Sequence, residues 1–328
     1  MSSSISGSDG QSWHRLIRRY LLATVVLWLV LAAFVLAVDP YDTGRFALLP
    51  SRGVPDFGQR LSFASIGRRP GIDAAVFGNS TIQLLDPERL SRLTDDHFVS
   101  LAVPGSGPRE QIAIADWFRR HHRGERLTLV FGLDSTWCTT ETPIPIIYPF
   151  PFWLYSDSRI DYALGMMRYK SIEAAIRKIK MLLGRERSAT ADGYHDYDTG
   201  HAWKGLDVEA VEPAPERPTA SGADFTAPPL LRKFVDHLGP ETRIVLVEVP
   251  RYAETLPRTD AASQHLEACK SAYRAIAAAR PGSVMLDFLV DDAMTRQDEN
   301  FWDSVHYRSP VARLIESRIA SALAPEPN

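Results

Sequence analysis

Nineteen consecutive residues, Tyr20 to Val38 (YLLATVVLWLVLAAFVLAV), carry no charge. At 1.5 Å per helical residue they span roughly 28 Å, close to the hydrocarbon thickness of a bilayer. No polar face interrupts the run, which argues against a helix buried in a soluble core. Arg15, Arg18 and Arg19 stand just before it, and Asp39 and Asp42 just after it. Basic flanks stay in the cytoplasm. The expected topology is a cytoplasmic tail over residues 1–19, one pass of the cytoplasmic (inner) membrane over 20–38, and an extracytoplasmic, periplasmic remainder. Trp13 and Tyr20 fall near the inner interface. The alternative is a cleavable signal peptide. The run is too long for a typical apolar core of one, and Val35-Leu36-Ala37 is a mediocre cleavage site.

The chain has 328 residues. The part beyond the anchor exceeds a typical single domain, so one α/β core with insertions and two domains both fit. A net charge of −3 gives no polyanion-binding footprint, so nucleic acid is not an expected partner. Two cysteines, Cys138 and Cys269, are too few for a disulfide framework. Two separate buried thiols are expected, with a single bridge as the alternative in an oxidising compartment. No Cys-x-x-Cys or His-Glu-x-x-His pattern is present, so neither a metal nor another cofactor is expected.

Five short apolar runs read as buried parallel strands: 74–77, 98–103, 127–133, 244–249 and 284–289. They are continuous and not alternating, as expected when helices cover both faces of a sheet. Helical stretches at 109–122, 261–279 and 310–323 fall between or after them, which predicts a doubly wound, three-layer α/β sandwich. Residues 39–70 read as a linker or entry segment, and 71–328 as the domain. Its interruption, about 138–240, holds a Pro/aromatic stretch (Pro143–Tyr155), a basic helix over 161–183 and a low-regularity region over 188–229. It reads as an insertion over one edge of the sheet. The aromatic stretch suits either a substrate platform or packing on the core or the membrane.

Four short motifs fall just beyond strand ends: Gly78-Asn79-Ser80, Gly105-Ser106-Gly107, Gly132-Leu133-Asp134-Ser135 and Asp303-Ser304-Val305-His306. Ligands bind at the carboxyl edge of open α/β sheets, so all four can converge on one crevice. Acyl transfer needs a serine whose proton a base removes, and a base held in one tautomer. Ser80, His306 and Asp303 supply those groups. Gly105 or Gly107 can present a backbone N–H to a developing oxyanion, as can the N–H of Ser80. Each feature alone has a plainer reading. A serine after a strand is commonly a cap, a lone Gly-x-Gly a turn, and Asp-x-x-His a capping arrangement.

As an ordered set these motifs resemble the SGNH (GDSL-like) hydrolase superfamily, in particular its membrane-anchored members that take part in O-acylation of cell-envelope polymers. The resemblance covers roughly residues 74–320 and leaves 138–240 unaligned. It implies a flavodoxin-like five-stranded parallel sheet of order 2-1-3-4-5, with Ser80, His306 and Asp303 as the triad and an ester as substrate. It departs at Asp134, where the superfamily carries an asparagine that donates to the oxyanion. An ionised carboxylate only accepts. Asn79 is a possible substitute donor and equally an ordinary turn residue. The expected function is an extracytoplasmic serine esterase or O-acyltransferase acting on an envelope glycan or another cell-surface ester, with a multi-spanning membrane acyltransferase as a candidate partner. The alternatives are a hydrolase of lipids or small esters and a non-catalytic scaffold of the same fold.

Overall fold

The structure, a computed structural model, describes residues 8–46, 48, 51–122, 126–206 and 224–324. It opens with helix α1, Ser8–Val38, whose stretch from Ser12 is long and apolar enough to cross a membrane. Asp39, with a φ of 45°, and Pro40 follow directly. A left-handed residue followed by proline is a common helix stop.

The sheet contains β1 (Ala74–Gly78), β2 (Phe98–Ala102), β3 (Thr128–Leu133), β4 (Arg243–Glu248) and β5 (Val284–Asp287). All neighbours are parallel and the order is β2-β1-β3-β4-β5. Val76 lies opposite both Ser100 and Val130, and Val130 opposite Val245. β1, β2 and β3 are buried along their whole length, and their side chains divide by parity between two cores. Phe77, Leu101, Leu129, Phe131 and Leu246 face one core, while Val76, Ala102, Val130 and Val245 face the other. A continuous apolar strand is therefore two half-patterns, each covered by its own helices.

On the first face pack α2 (Gln59–Ile66), α4 (Pro108–His121), α8 (Ala227–Val235) and α9 (Asp260–Ala278); on the second pack α3 (Pro87–Leu93) and α10 (Ser309–Leu323). The connection from β3 to β4 adds α5 (Phe152–Tyr155), α6 (Arg159–Met166) and α7 (Tyr169–Leu182) to the first face. The expected single helix over 161–183 is thus two. Its break falls at Met167 and Arg168, where Arg168 is extended. The turn lets α6 close on α5, with Gly165 against the Trp153 ring, while α7 turns back onto the end of α1.

Two further features depart from the sequence reading. The described residues between 39 and 70 pack on the domain, with Tyr41, Val54 and Phe63 buried. Cys138 and Cys269, expected as separate thiols, form a disulfide. The short turn after β3 and the middle of α9 bring their Cα atoms to 5.6 Å, well inside bridging range. Spacing in the sequence cannot show this, because the two residues lie 131 positions apart.

Candidate active site

The loops after β1, β2 and β3 and the loop before α10 gather at the carboxyl edge of the sheet. After β1 the chain turns sharply through Asn79 and Ser80 into a tight run ending at Leu85, held by bonds such as Gln83 N–H to Ser80 O at 3.4 Å. This turn folds down over the strand ends because Gly78 and Gly132 leave room. A Cβ on Gly78 would lie 2.4 Å from Ile82 Cγ2, and one on Gly132 2.7 Å from Ile82 Cβ. Ser80 is left partly exposed above Asn79, which is buried.

Opposite it, Asp303–His306 forms a compact loop bracketed by the Phe301–Tyr307 bridge. Asp303 Oδ1 accepts from the backbone N–H of Val305 and of His306, both at 2.8 Å. Its other oxygen accepts from His306 Nδ1 at 2.7 Å, and Ser80 Oγ stands 2.8 Å from His306 Nε2. The carboxylate fixes the tautomer: Nδ1 carries the hydrogen and Nε2 accepts from the Ser80 hydroxyl. Partial burial raises the Asp303 pKa, but the hydrogen bonds from the His306 ring and the two amides outweigh it and hold the carboxyl below its ordinary value.

The β3–β4 insertion reaches this loop around the edge strand β2. Ser100 N–H donates to Asp192 O at 2.7 Å, so the segment adds to the free edge of β2. Beyond it, the Tyr197 ring packs edge-on against His306 at 5.8 Å between centroids, and its hydroxyl donates to Tyr307 O. Asp198 accepts from Trp302 Nε1 at 2.6 Å, Arg308 Nε at 3.1 Å and Ser309 N–H at 2.8 Å. Trp203 Nε1 donates to Phe301 O at 3.0 Å. These residues clamp both ends of the histidine loop. In the sequence their only local signal is a cluster of aromatic and acidic side chains, HDYDTGHAW at 195–203, within a region otherwise poor in pattern.

The remaining sequence-predicted residues part company. Gly107 N–H is taken by Glu110 Oε2 at 3.3 Å, in the capping box of α4, so it is already committed. Gly105 has a φ of 63°, and a Cβ there would lie 2.4 Å from Tyr148 Cε2; no hydrogen bond engages its N–H among the described residues. Asn79 is partly engaged, with one of its two amide hydrogens given to Asp134. Its Oδ1 accepts from Thr81 N–H and Oγ1, and its Nδ2 donates to Asp134 Oδ2. Asp134 also accepts from Thr136 N–H at 2.9 Å and Thr136 Oγ1 at 2.5 Å. Desolvation raises its pKa against these bonds.

The aromatic stretch splits in two. Phe150, Trp153, Leu154 and Tyr155 pack on the core, whereas Ile146, Ile147 and Tyr148 are exposed beside the glycine loop. Pro145 and Ile147 line a groove together with Gly107 and Ser135. A second cavity of about 190 Å³ lies between the ends of β3 and β4 and the start of α9. Its lining includes Leu133, Asp134, Val249, Arg251, Leu266 and Glu248. Burial pushes the Glu248 carboxyl up to about 8; Lys270 opposes that effect, while Asp287 and Asp134 add to it. Among the described residues no cluster of His, Cys, Asp and Glu is placed to hold a metal ion. No protein-family model and no curated protein matches the chain.

Proposed function

We propose that this chain is a membrane-anchored serine esterase or O-acyltransferase of the SGNH type, acting outside the cytoplasm on an acylated envelope glycan or a related cell-surface ester. One observation carries the reading: Ser80, His306 and Asp303 stand in a continuous hydrogen-bonded line, although 226 positions separate Ser80 from His306. In this reading Ser80 Oγ attacks the ester carbonyl carbon as its proton passes to His306 Nε2. Asp303 stabilises the imidazolium that results. The tetrahedral oxyanion collapses, the C–O bond to the alcohol breaks, and His306 returns the proton to the leaving oxygen. A water or an acceptor hydroxyl then repeats the sequence on the acyl-Ser80 ester, which makes the outcome hydrolysis or transfer.

Two N–H groups suit the oxyanion, those of Ser80 and Gly105. The resemblance to SGNH hydrolases supports this reading through three motifs that follow β1, β2 and β3 and a fourth in the loop before α10. Two features favour the extracytoplasmic side. Arg15, Arg18 and Arg19 lie within α1 just before its uncharged run, and Cys138 and Cys269 are bridged, a state that persists in oxidising compartments. A non-catalytic scaffold is the second reading, and Asp134 is the observation that favours it, since it replaces a neutral donor with an acid.

A fluorophosphonate probe tests the reading directly. Labelling mapped by mass spectrometry to Ser80, and absent from His306→Ala, is the expected result. An unlabelled Ser80 in a folded, disulfide-bonded protein overturns the enzyme in favour of the scaffold.

A further inference from the structure

We infer that the outer face of α6 and α7 lies in the headgroup layer of the bilayer that α1 crosses, so that the domain rests on the membrane and does not swing from it. The inference rests on the reading of α1 as a membrane span and is independent of any catalytic activity.

The first observation is length. Along α1 the side chains are exposed from Tyr20 to Phe34 with one partly buried exception, and at Val35 they enter the domain, where Val35 and Val38 are buried. The free apolar run is therefore fifteen residues, roughly 22 Å, against a hydrocarbon core of about 30 Å. Leu16 and Ile17 extend it on the inner side, with Arg15, Arg18 and Arg19 reaching back to the headgroups. On the outer side no helix is left over to cross the interface. The bilayer boundary meets the domain surface itself.

The second is the rigidity of the junction. Asp39 and Asp42, the two residues that close the apolar segment, are buried. Asp39 accepts from Tyr162 of α6 at 2.9 Å and from Gly44 N–H at 2.6 Å, and Lys178 of α7 donates to its carbonyl at 2.7 Å. Asp42 pairs with the same Lys178 at 3.3 Å and with Arg68 at 3.2 Å. The helix that enters the membrane is fixed to α6 and α7 through ionic contacts shielded from water.

The third is what those helices expose. Opposite its buried side (Ser171, Ala174, Ala175 and Lys178), α7 presents Tyr169, Ile176 and Leu183 at seven-residue spacing, exposed by 80%, 47% and 65%. Ile160 and Leu164, one turn apart on α6, are 72% and 66% exposed. Leu48, whose N–H donates to Ala37 O in the last turn of α1, is 83% exposed. Apolar side chains exposed on two helices that are tied to the end of a membrane span suit a contact surface. Its flanks carry five exposed cations, Arg159, Arg168, Lys170, Lys180 and Arg185, against three exposed acids, Asp157, Asp161 and Glu173. Apolar side chains bordered by cations suit the boundary between acyl chains and anionic headgroups.

The two native cysteines are bonded to each other, so a single introduced cysteine in the full chain takes one nitroxide label. Labels at Leu164→Cys, Ile176→Cys and Leu183→Cys are compared with Val26→Cys in α1 and with Leu93→Cys and Leu314→Cys on the opposite face, at one copy per lipid nanodisc containing phosphatidylglycerol. Relaxation by oxygen against a water-soluble nickel chelate reports depth. The expected result is an oxygen preference at 164, 176 and 183 several-fold above that at 93 and 314, and below that at 26. The preference should weaken when the lipid is zwitterionic. An immersed label at 26 with water-like labels at 164, 176 and 183 overturns the inference and leaves the anchor standing. A water-like label at 26 overturns the anchor and the inference together.

Discussion

The Asn79 amide donates to the Asp134 carboxylate, and this bond joins the loop that carries Ser80 to the end of β3. It assigns both residues a structural task. Asn79 has no acceptor to spare, because Thr81 occupies its oxygen twice. Asp134 caps the short turn after β3 through Thr136. In the proposed reaction an asparagine at 134 would donate to the oxyanion, whereas Asp134 fixes the height of the Ser80 turn.

Replacing Asp134 by asparagine tests that division of labour. The new amide can keep its oxygen on Thr136, which turns its NH₂ toward the NH₂ of Asn79. Two donors then face each other, and the expected loss is about 1.5–3 kcal/mol, the range for hydrogen bonds to charged groups. Ester hydrolysis should not rise. The exchanged pair, Asn79→Asp with Asp134→Asn, restores a donor–acceptor match and should recover most of the stability in a double-mutant cycle. A tenfold gain in hydrolysis by Asp134→Asn alone would place position 134 at the oxyanion instead.

For the triad, Ser80→Ala and His306→Ala should each remove nearly all ester turnover, and the double variant should lose little more. Residues that act as a unit are non-additive in this way. Asp303→Asn keeps an oxygen for the Val305 and His306 amides but offers an NH₂ to Nδ1, which inverts the tautomer. Its loss should be large and smaller than that of Ser80→Ala. Additive, partial losses in steady-state kinetics would contradict the mechanism.

The sequence makes the sheet legible because each strand is a continuous apolar run set between helices, and the four motifs mark its carboxyl edge. What it hides lies in side-chain geometry and long-range pairing. Cys138 meets Cys269 only once α9 has packed over the turn after β3. Tyr197 reaches His306, and Asp198 reaches Trp302 and Ser309 on either side of it, only by way of the β2 edge. Asn79 reads as a free turn residue until its oxygen is seen to accept from Thr81 and one amide hydrogen to go to Asp134. A run of 19 uncharged residues likewise cannot show that its last turn belongs to the domain.

The disulfide predicts a stability difference. It closes a loop of 131 residues between the β3 turn and α9, and constraining so long a loop in the unfolded chain contributes typically about 2–4 kcal/mol. Cys138→Ser with Cys269→Ser should lower the unfolding midpoint accordingly, and reductant should shift the wild type toward the same value. The cysteine-free variant should not respond to reductant. An identical midpoint for all three samples would mean that the bridge adds nothing.

Glu248 gives the sharpest dependence on pH. It ends β4 beside the 190 Å³ cavity, buried, with Oε1 lacking a hydrogen-bond partner. Desolvation pushes its pKa to about 8; Lys270 and Arg274 favour the carboxylate, while Asp287 and Asp134 oppose it. Between the ordinary glutamate value, near 4.3, and about 8, the folded protein holds a proton on Glu248 that the unfolded chain has released. The folded state therefore binds more protons, and stability falls as pH rises through that window. Each pH unit costs up to about 1.4 kcal/mol, an upper bound that relaxation of the cavity and the Lys270 ammonium will reduce. Glu248→Gln keeps the shape and removes the titration. The variant should match the wild type at pH 5 and unfold at a higher temperature at pH 8, with the gap growing steadily between. A constant gap across that range, measured by thermal unfolding at fixed ionic strength, would show that Glu248 is already ionised in the folded protein.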